Sequence, residues 1–231
     1  MDNIGLICAR KNSKGLKNKN TKLFNKKPLI FWSIKQLIKL KKKKLIDRII
    51  VSTDSKRIAK VCKKYDVEVP FLRPKFLSGN KSPEWLVWKH AINKLEAKNI
   101  KINMIVNLPA TSPCRKFEDV LKGVKLYKSK KFEIVTAVTK SSKNPYFNMV
   151  KIKNNFTDLL IKSKNKISHR QSAPEVFDLT TAFYITNSNI IKKKKHIFDC
   201  KMGSVIIDKP SSIDIDDEYD FKIAKLNYKK L

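Results

Sequence analysis

Two stretches near opposite ends of the chain carry the residue types that phosphate and metal chemistry require. The first is Arg10-Lys11-Asn12-Ser13-Lys14-Gly15-Leu16-Lys17-Asn18-Lys19-Asn20. Cations, amides, a hydroxyl and a glycine, all in a loop behind a short apolar run, are the parts of a phosphate cradle. The Walker spacing G-x-x-x-x-G-K-[ST] is absent, and a single glycine cannot make the three-glycine dinucleotide fingerprint. The same residues also suit a solvated loop in a lysine-rich chain. The second stretch is Ser212-Ile213-Asp214-Ile215-Asp216-Asp217. On a strand, Asp214 and Asp216 point to one side while the isoleucines point into the core. Neighbouring carboxylates repel unless a cation lies between them, and a few hard oxygen ligands suit Mg²⁺ shared with substrate phosphates. Asp216, Asp217 and Glu218 also suit the N-terminal cap of a following helix. Asp214 has no such alternative.

The elements that must position these residues follow from periodicity. Ile4 to Ala9 reads as a first, central strand. Pro28 opens a helix with Leu29, Ile30, Ile34, Leu37 and Ile38 on one face, closing in Lys41 to Lys44. Arg48 to Thr53 is a second strand, and Ser55 caps a helix carrying Ile58, Ala59, Val61 and Cys62. Helix Pro83 to Leu95, strand Ile102 to Leu108, the loop Pro109 to Arg115 and helix Phe117 to Tyr127 follow. This alternation predicts an α/β fold, a mostly parallel twisted sheet with helices on both faces. From Ile134 the rhythm changes. A hairpin is expected about Lys153-Asn154-Asn155, and residues 140–180 form an excursion suited to a lid or to pairing with a second subunit. Strands Ala182 to Thr186 and Val205 to Ile207 and helix Glu218 to Leu226 complete the chain. The 231 residues suit one domain spanning 1–231 with a small arm. Ligands bind beyond the carboxyl ends of strands in such sheets. There the basic loop, the loop 109–115 and the Asp pair would converge into a site for nucleotidyl transfer. Nothing in the spacing names a base or an acceptor.

Composition narrows the classes. Lys and Arg number 52 against 20 Asp and Glu, a net charge of +32. Only six of the cations are arginine, and the lysines are spread evenly. Arginine makes most bidentate phosphate and base contacts, so the reading favours no nucleic acid over a lysine-rich nucleic-acid-binding module. The excess charge would still draw in small anions. No apolar run is long enough to insert in a membrane, and no signal peptide is visible, so a cytoplasmic location is expected. Cys8, Cys62, Cys114 and Cys200 are too dispersed for a disulfide or zinc pattern, as are His90, His169 and His196.

The opening stretch Ala9-Arg10-Lys11-Asn12-Ser13-Lys14-Gly15-Leu16-x-x-Lys19-Asn20 resembles that of the acylneuraminate cytidylyltransferases, the CMP-sialic acid synthetases. Lys27-Pro28-Leu29, Val51-Ser52-Thr53-Asp54, Val69 to Pro74, Thr111-Ser112-Pro113-x-Arg115 and Ser212 to Asp216 follow in the same order as in that family. The resemblance implies a Rossmann-like nucleotidyltransferase and a magnesium-dependent reaction of CTP with a nine-carbon 2-keto sugar acid. It implies that Arg10, Asn12, Ser13, Lys14, Gly15, Lys19, Asn20 and Arg73 hold the nucleotide. Asp214 and Asp216 would carry Mg²⁺ and, with Arg10, Lys14 and Lys19, the catalysis. Thr111, Ser112, Arg170 and Gln171 would face the sugar, and the 140–180 arm would form a homodimer and reach the partner's site. The sister CMP-Kdo synthetases, acting on an eight-carbon acid, are less similar, since Arg-Leu-Pro-Gly-Lys typical of their opening motif is replaced by Gly15-Leu16-Lys17-Asn18-Lys19.

Three departures are expected on substrate-facing loops. Pro109-Ala110 stands where many members carry Gln-Pro, Asn80-Lys81 where Asp-Thr is common, and Thr180-Thr181 where Asn-Gly is usual. They point to retained nucleotide chemistry on a different sugar, with legionaminic, pseudaminic or another nonulosonic acid beside N-acetylneuraminate. An inactive homologue is the competing reading.

Overall fold

The computed structural model describes residues 1–79, 82–163 and 167–228. Strand β1 (Asp2–Cys8) sends Ile4 and Leu6 to one face and Ile7 to the other, all fully buried. A basic loop follows, ending in a 3-10 turn at Lys19–Thr21. The tiny hairpin of β2 (Leu23–Phe24) and β3 (Lys27–Pro28) then turns on Asn25 and Lys26, both at positive φ as such two-residue turns require. Only then does α1 (Leu29–Lys42) begin. The helix thus starts at the Pro28 position that the sequence marked, and what the sequence did not show is the small hairpin before it.

Next come β4 (Arg48–Ser52) and α2 (Lys56–Lys63), the latter capped by the Ser55 hydroxyl accepting from the Ile58 N–H. The middle of the chain supplies α3 (Glu84–Glu96), β5 (Ile102–Asn107), α4 (Phe117–Lys128) and β6 (Ile134–Lys140). The arm hairpin is β7 (Val150–Lys153) and β8 (Phe156–Leu159). Long β9 (Phe177–Thr186), short α5 (Ser188–Lys193), β10 (Met202–Ile206) and α6 (Glu218–Tyr228) complete it.

The main sheet has the order β10-β6-β9-β5-β1-β4. Every pairing is parallel except those of β9, which runs antiparallel between β5 and β6. Helices α1, α2 and α4 pack on one face around Ile34, Leu37, Ile58 and Val124. Helix α3, with Trp85, Trp88 and Ile92, and α5 cover the other. A third cluster, Leu16, Phe24, Leu29, Ile215 and Phe221, fastens α6 and the basic loop against the start of α1. Since β1 has β4 on one side and β5 on the other, chain direction across the sheet reverses there. The carboxyl ends of β1 and β5 thus flank a crevice, and the loops 9–20 and 108–115 leave from it.

Several sequence expectations need correction. The late strand begins at Phe177 rather than Ala182, because its N-terminal half pairs with β6. The segment 213–216 is extended but unpaired as a strand, although Ile215 is fully buried as the alternation required. Helix α5 was not anticipated, being only six residues long. Thr180 is a buried β9 residue whose hydroxyl donates to Ala137 O at 3.0 Å, so the Thr180-Thr181 departure lies in the sheet and not on a loop. Asn80-Lys81 lie outside the described residues. Among the described residues no helix is long and apolar enough to cross a membrane.

Helix α4 approaches the sheet through Gly123, where an added Cβ would lie 2.6 Å from the ring of fully buried Phe183. Gly123→Val is expected to destabilise the fold by about 1–3 kcal/mol through overpacking, measured as a lowered urea midpoint at unchanged m-value.

Candidate functional site

The basic loop is shaped by its own backbone partners. Past the end of β1, the Lys11 N–H donates to Asp54 Oδ1 at 2.7 Å, and the Asn20 side-chain amide donates to Arg10 O at 2.9 Å. The second bond pinches the two ends of the loop together and the first ties its start to the segment after β4, while Leu16 anchors its middle in the third apolar cluster. Lys19 is 8% exposed, and its Nζ donates to Ile215 O at 2.5 Å and to Asp216 Oδ1 at 3.1 Å. A buried ammonium requires such partners, and they lie 196 and 197 residues away in sequence. Gly15 makes the same junction from the outside. A Cβ there would lie 2.4 Å from Asp216 O, so only glycine permits this approach.

The loop after β5 holds the Asp segment from the other side. The Ile215 N–H donates to Thr111 O at 2.9 Å. Behind it, buried Arg115 donates to Pro109 O at 2.9 Å, Ala182 O at 2.9 Å and Ser33 Oγ at 2.8 Å, riveting the loop to β9 and α1. Desolvation works against the Arg115 charge, and the nearby Asp214 carboxylate supports it.

Asp214 and Asp216 occupy unlike environments. Asp216 is open to solvent on the Lys19 side. Asp214 is largely enclosed, and its Oδ1 is buried without a hydrogen-bond partner among the described residues. Burial pushes the Asp214 carboxyl above its ordinary range, and the Asp216 charge adds to the push. The hydroxyls of Thr111 and Thr181 and the Lys19 ammonium act the other way. No cluster of three His, Cys, Asp or Glu side chains occurs among the described residues. The donor set is thus two carboxylates, one orphaned and one open. That suits a hard cation keeping water or phosphate oxygens as its remaining ligands, the pattern of Mg²⁺ rather than of Zn²⁺ or Ca²⁺.

A cleft opens beside this junction, lined by Cys8, Arg10, Ser13, Lys19, Asn20, Arg73, Leu77, Gly79, Ser82, Glu84, Val87 and Thr111. It gathers Arg10, Ser13, Lys19, Asn20, Arg73 and Thr111 from the sequence expectation. Arg10 donates to Gly79 O at 2.9 Å across the mouth, and buried Arg73 is held by Ser78 Oγ at 3.2 Å. Asn12 and Lys14 lie on the loop outside the cleft lining. Ser112 is fully buried, bonded to the Thr181 hydroxyl at 3.0 Å, which leaves it a structural partner of β9. Arg170 and Gln171 sit apart, in a hollow at the base of the arm with Lys140, Lys143 and Glu175. Glu84 and Thr181 were missed. Glu84 reads in sequence as an ordinary acid in the first turn of a helix, and only the packing of α3 turns it into the cleft.

The charge balance at Asp214 sets its contribution to stability. A raised folded-state pKa means the folded protein holds that proton more tightly than the unfolded chain, so the charged form is destabilising above it. Asp214→Asn is therefore expected to stabilise the unliganded protein at neutral pH. The gain should shrink as pH falls through the raised pKa, as followed by thermal midpoints of the two proteins across pH.

The sequence and the fold both match known proteins. A cytidylyltransferase family model matches residues 4–225. The post-translational flagellin modification protein B of Campylobacter coli is 32% identical over 227 residues, covering 97% of this chain and 94% of that protein. The CMP-N,N'-diacetyllegionaminic acid synthase of Campylobacter jejuni is 35% identical over 222 residues, covering 95% and 92%. A CMP:2-keto-3-deoxy-manno-octonic acid synthetase solved with CTP superposes over 100% of both chains with a TM-score of 0.72 at 11% identity, a likeness of fold. With its family model spanning nearly the whole chain and its cationic loop joined to the Asp pair, the protein belongs to the cytidylyltransferase family.

Proposed function

We propose that this chain transfers the cytidylyl group of CTP to the anomeric hydroxyl of a nonulosonic acid, a diacetyllegionaminic acid foremost, with release of pyrophosphate. The observation that carries this reading is the Lys19 bridge, which places a buried cation between the phosphate loop and the Asp pair. The acceptor class is supported by the 35% identity to a CMP-N,N'-diacetyllegionaminic acid synthase.

In this reading the triphosphate lies along the loop. Arg10, Ser13 and Asn20 bind it from the cleft side, and Asn12, Lys14 and Gly15 contact it along the loop. Lys19 offsets the charge that builds on the departing pyrophosphate. Arg73 faces the nucleoside. Asp214 and Asp216 hold Mg²⁺, which would neutralise the phosphate oxygens and make the α-phosphorus a better electrophile. Thr111 lies at the Asp end of the cleft, where the sugar enters. Since the substrate is a nucleoside triphosphate, the work belongs in the cytoplasm.

Arg170 and Gln171 do not reach the cleft of their own chain, so their part in sugar binding needs a second copy. The arm has the surface for it: Val150, Ile152, Phe156, Leu160 and Ile161 are exposed apolar side chains on or beside one hairpin. Such a concentration on a small protrusion marks a contact surface, and we take the protein to be a homodimer joined there.

Pyrophosphate release from CTP in the presence of Mg²⁺ tests the reaction, with diacetyllegionaminic, pseudaminic, N-acetylneuraminic and Kdo acids as acceptors. Turnover with a nine-carbon acid and not with Kdo is expected. No turnover with any of them would overturn the proposal. The double variant Ile152→Lys/Phe156→Asp should sediment as a monomer and lose at least about tenfold in kcat/KM for the sugar, which is about 1.4 kcal/mol of transition-state binding. A monomeric wild type would refute the dimer.

A further inference from the structure

We infer that Glu84 recognises the pyrimidine ring of the nucleotide, its carboxylate accepting from the exocyclic amine of cytosine and so excluding UTP. This rests on the cytidylyl-transfer reading and goes beyond it, to how the base is chosen.

Glu84 is the one carboxylate among the residues that line the cleft, where Arg10, Lys19 and Arg73 otherwise set the charge. It starts α3, with Gly79, Ser82 and Val87 lining the cleft alongside it. It enters no ion pair among the described residues within salt-bridge distance. Its nearest amide is Asn107 at 3.4 Å. That amide is better satisfied turned over, donating to Leu6 O at 3.0 Å and accepting from Trp88 Nε1 at 3.3 Å, which turns its N–H groups away from Glu84. The carboxyl is open to solvent through the cleft mouth yet surrounded by protein. Desolvation raises its pKa most, the Trp88 hydrogen bond acts against it, and the smaller effects of the Asp214 and Arg73 charges oppose each other.

A lone acid in an anion-binding cleft must face the part of the ligand that carries donors. The triphosphate goes to Arg10, Lys19 and the loop, and the acceptor's carboxylate is repelled by Glu84 as well. The nucleoside is what remains for this wall. CTP and UTP differ only on the ring, which in cytosine presents an amine donor beside the N3 and O2 acceptors. Uracil presents an O4 acceptor beside an N3–H. Glu and Asp are the side chains that accept from the cytosine amine, and Arg73 on the same cleft supplies donors for N3 or O2. A carboxylate facing O4 has no hydrogen to share and repels it, so a site built this way rejects the wrong base strongly. A glutamine at this position could rotate to offer either an oxygen to the amine or an N–H to O4.

Calorimetric titration of CTP and UTP into the wild type and Glu84→Gln, with Mg²⁺ and no acceptor, tests this directly. The wild type should prefer CTP by about 50-fold or more, and E84Q by less than about fivefold, mostly by gaining UTP. Circular dichroism should be unchanged and the thermal midpoint should not fall, since the substitution removes a desolvated charge. A wild type that binds both nucleotides equally, or an E84Q that keeps the full preference, overturns the inference. So does an equal loss for both nucleotides, which would place Glu84 on the ribose. Because no sugar is present, failure to turn over any acceptor leaves this result intact. A wild type that binds neither nucleotide would instead overturn the cytidylyl reading itself.

Discussion

The buried ammonium of Lys19 is the interaction on which the rest of the site depends. Taking a lysine out of water costs several kcal/mol unless its donors are filled, and here a backbone carbonyl and a carboxylate fill them. Both belong to the segment just before α6, so the terminal helix, the third apolar cluster and the basic loop are held as one piece. Gly15 reports the same constraint sterically, since its neighbourhood leaves no room for a single carbon. The basic loop is thereby fixed at a set distance from the Asp pair before any ligand arrives. Such preorganisation is what electrostatic catalysis requires.

The opposite wall of that junction is rigid for a different reason. Arg115 directs its donors to two backbone carbonyls and a serine hydroxyl, so its role is to position the loop that carries Thr111. Antiparallel β9 makes this possible by bringing Ala182 O and Thr181 beside the loop after β5. The strand that breaks the parallel pattern is also the one whose departures from the related enzymes were noticed. Thr181 lies next to Asp214, so that substitution bears on the carboxylate's surroundings more than on a sugar-facing loop.

Asp214 shows stability and function pulling apart. One of its oxygens is enclosed without a donor, and its pKa is raised by burial first and, among the charges, by Asp216. In the unliganded chain the Thr111 and Thr181 hydroxyls and Lys19 offset only part of that cost. A divalent cation between the two carboxylates would turn their repulsion into attraction to a shared charge. Glu84, on the facing helix, is held in the same electrostatic tension, which makes the cleft a place where charge is stored for a ligand to neutralise.

The alternating strands and helices, the Ser55 cap and the arm hairpin were legible in the sequence, because each rests on local periodicity or on residue type. Ile215 was correctly placed inside by alternation alone, even though no strand forms there. What tertiary structure decided was which residues of the basic loop and the Asp segment act together. Lysines 11, 14, 17 and 19 are alike in sequence, and only packing against the Asp segment makes Lys19 the buried one. Two aspartates two residues apart look equivalent, yet one is enclosed and the other open. Ser112 looked available and is buried, while Arg170 and Gln171 looked adjacent to chemistry and stand at the arm. Glu84 gave no signal at all. Burial and electrostatic partnership across nearly two hundred residues are properties of the folded chain, and no local pattern encodes them.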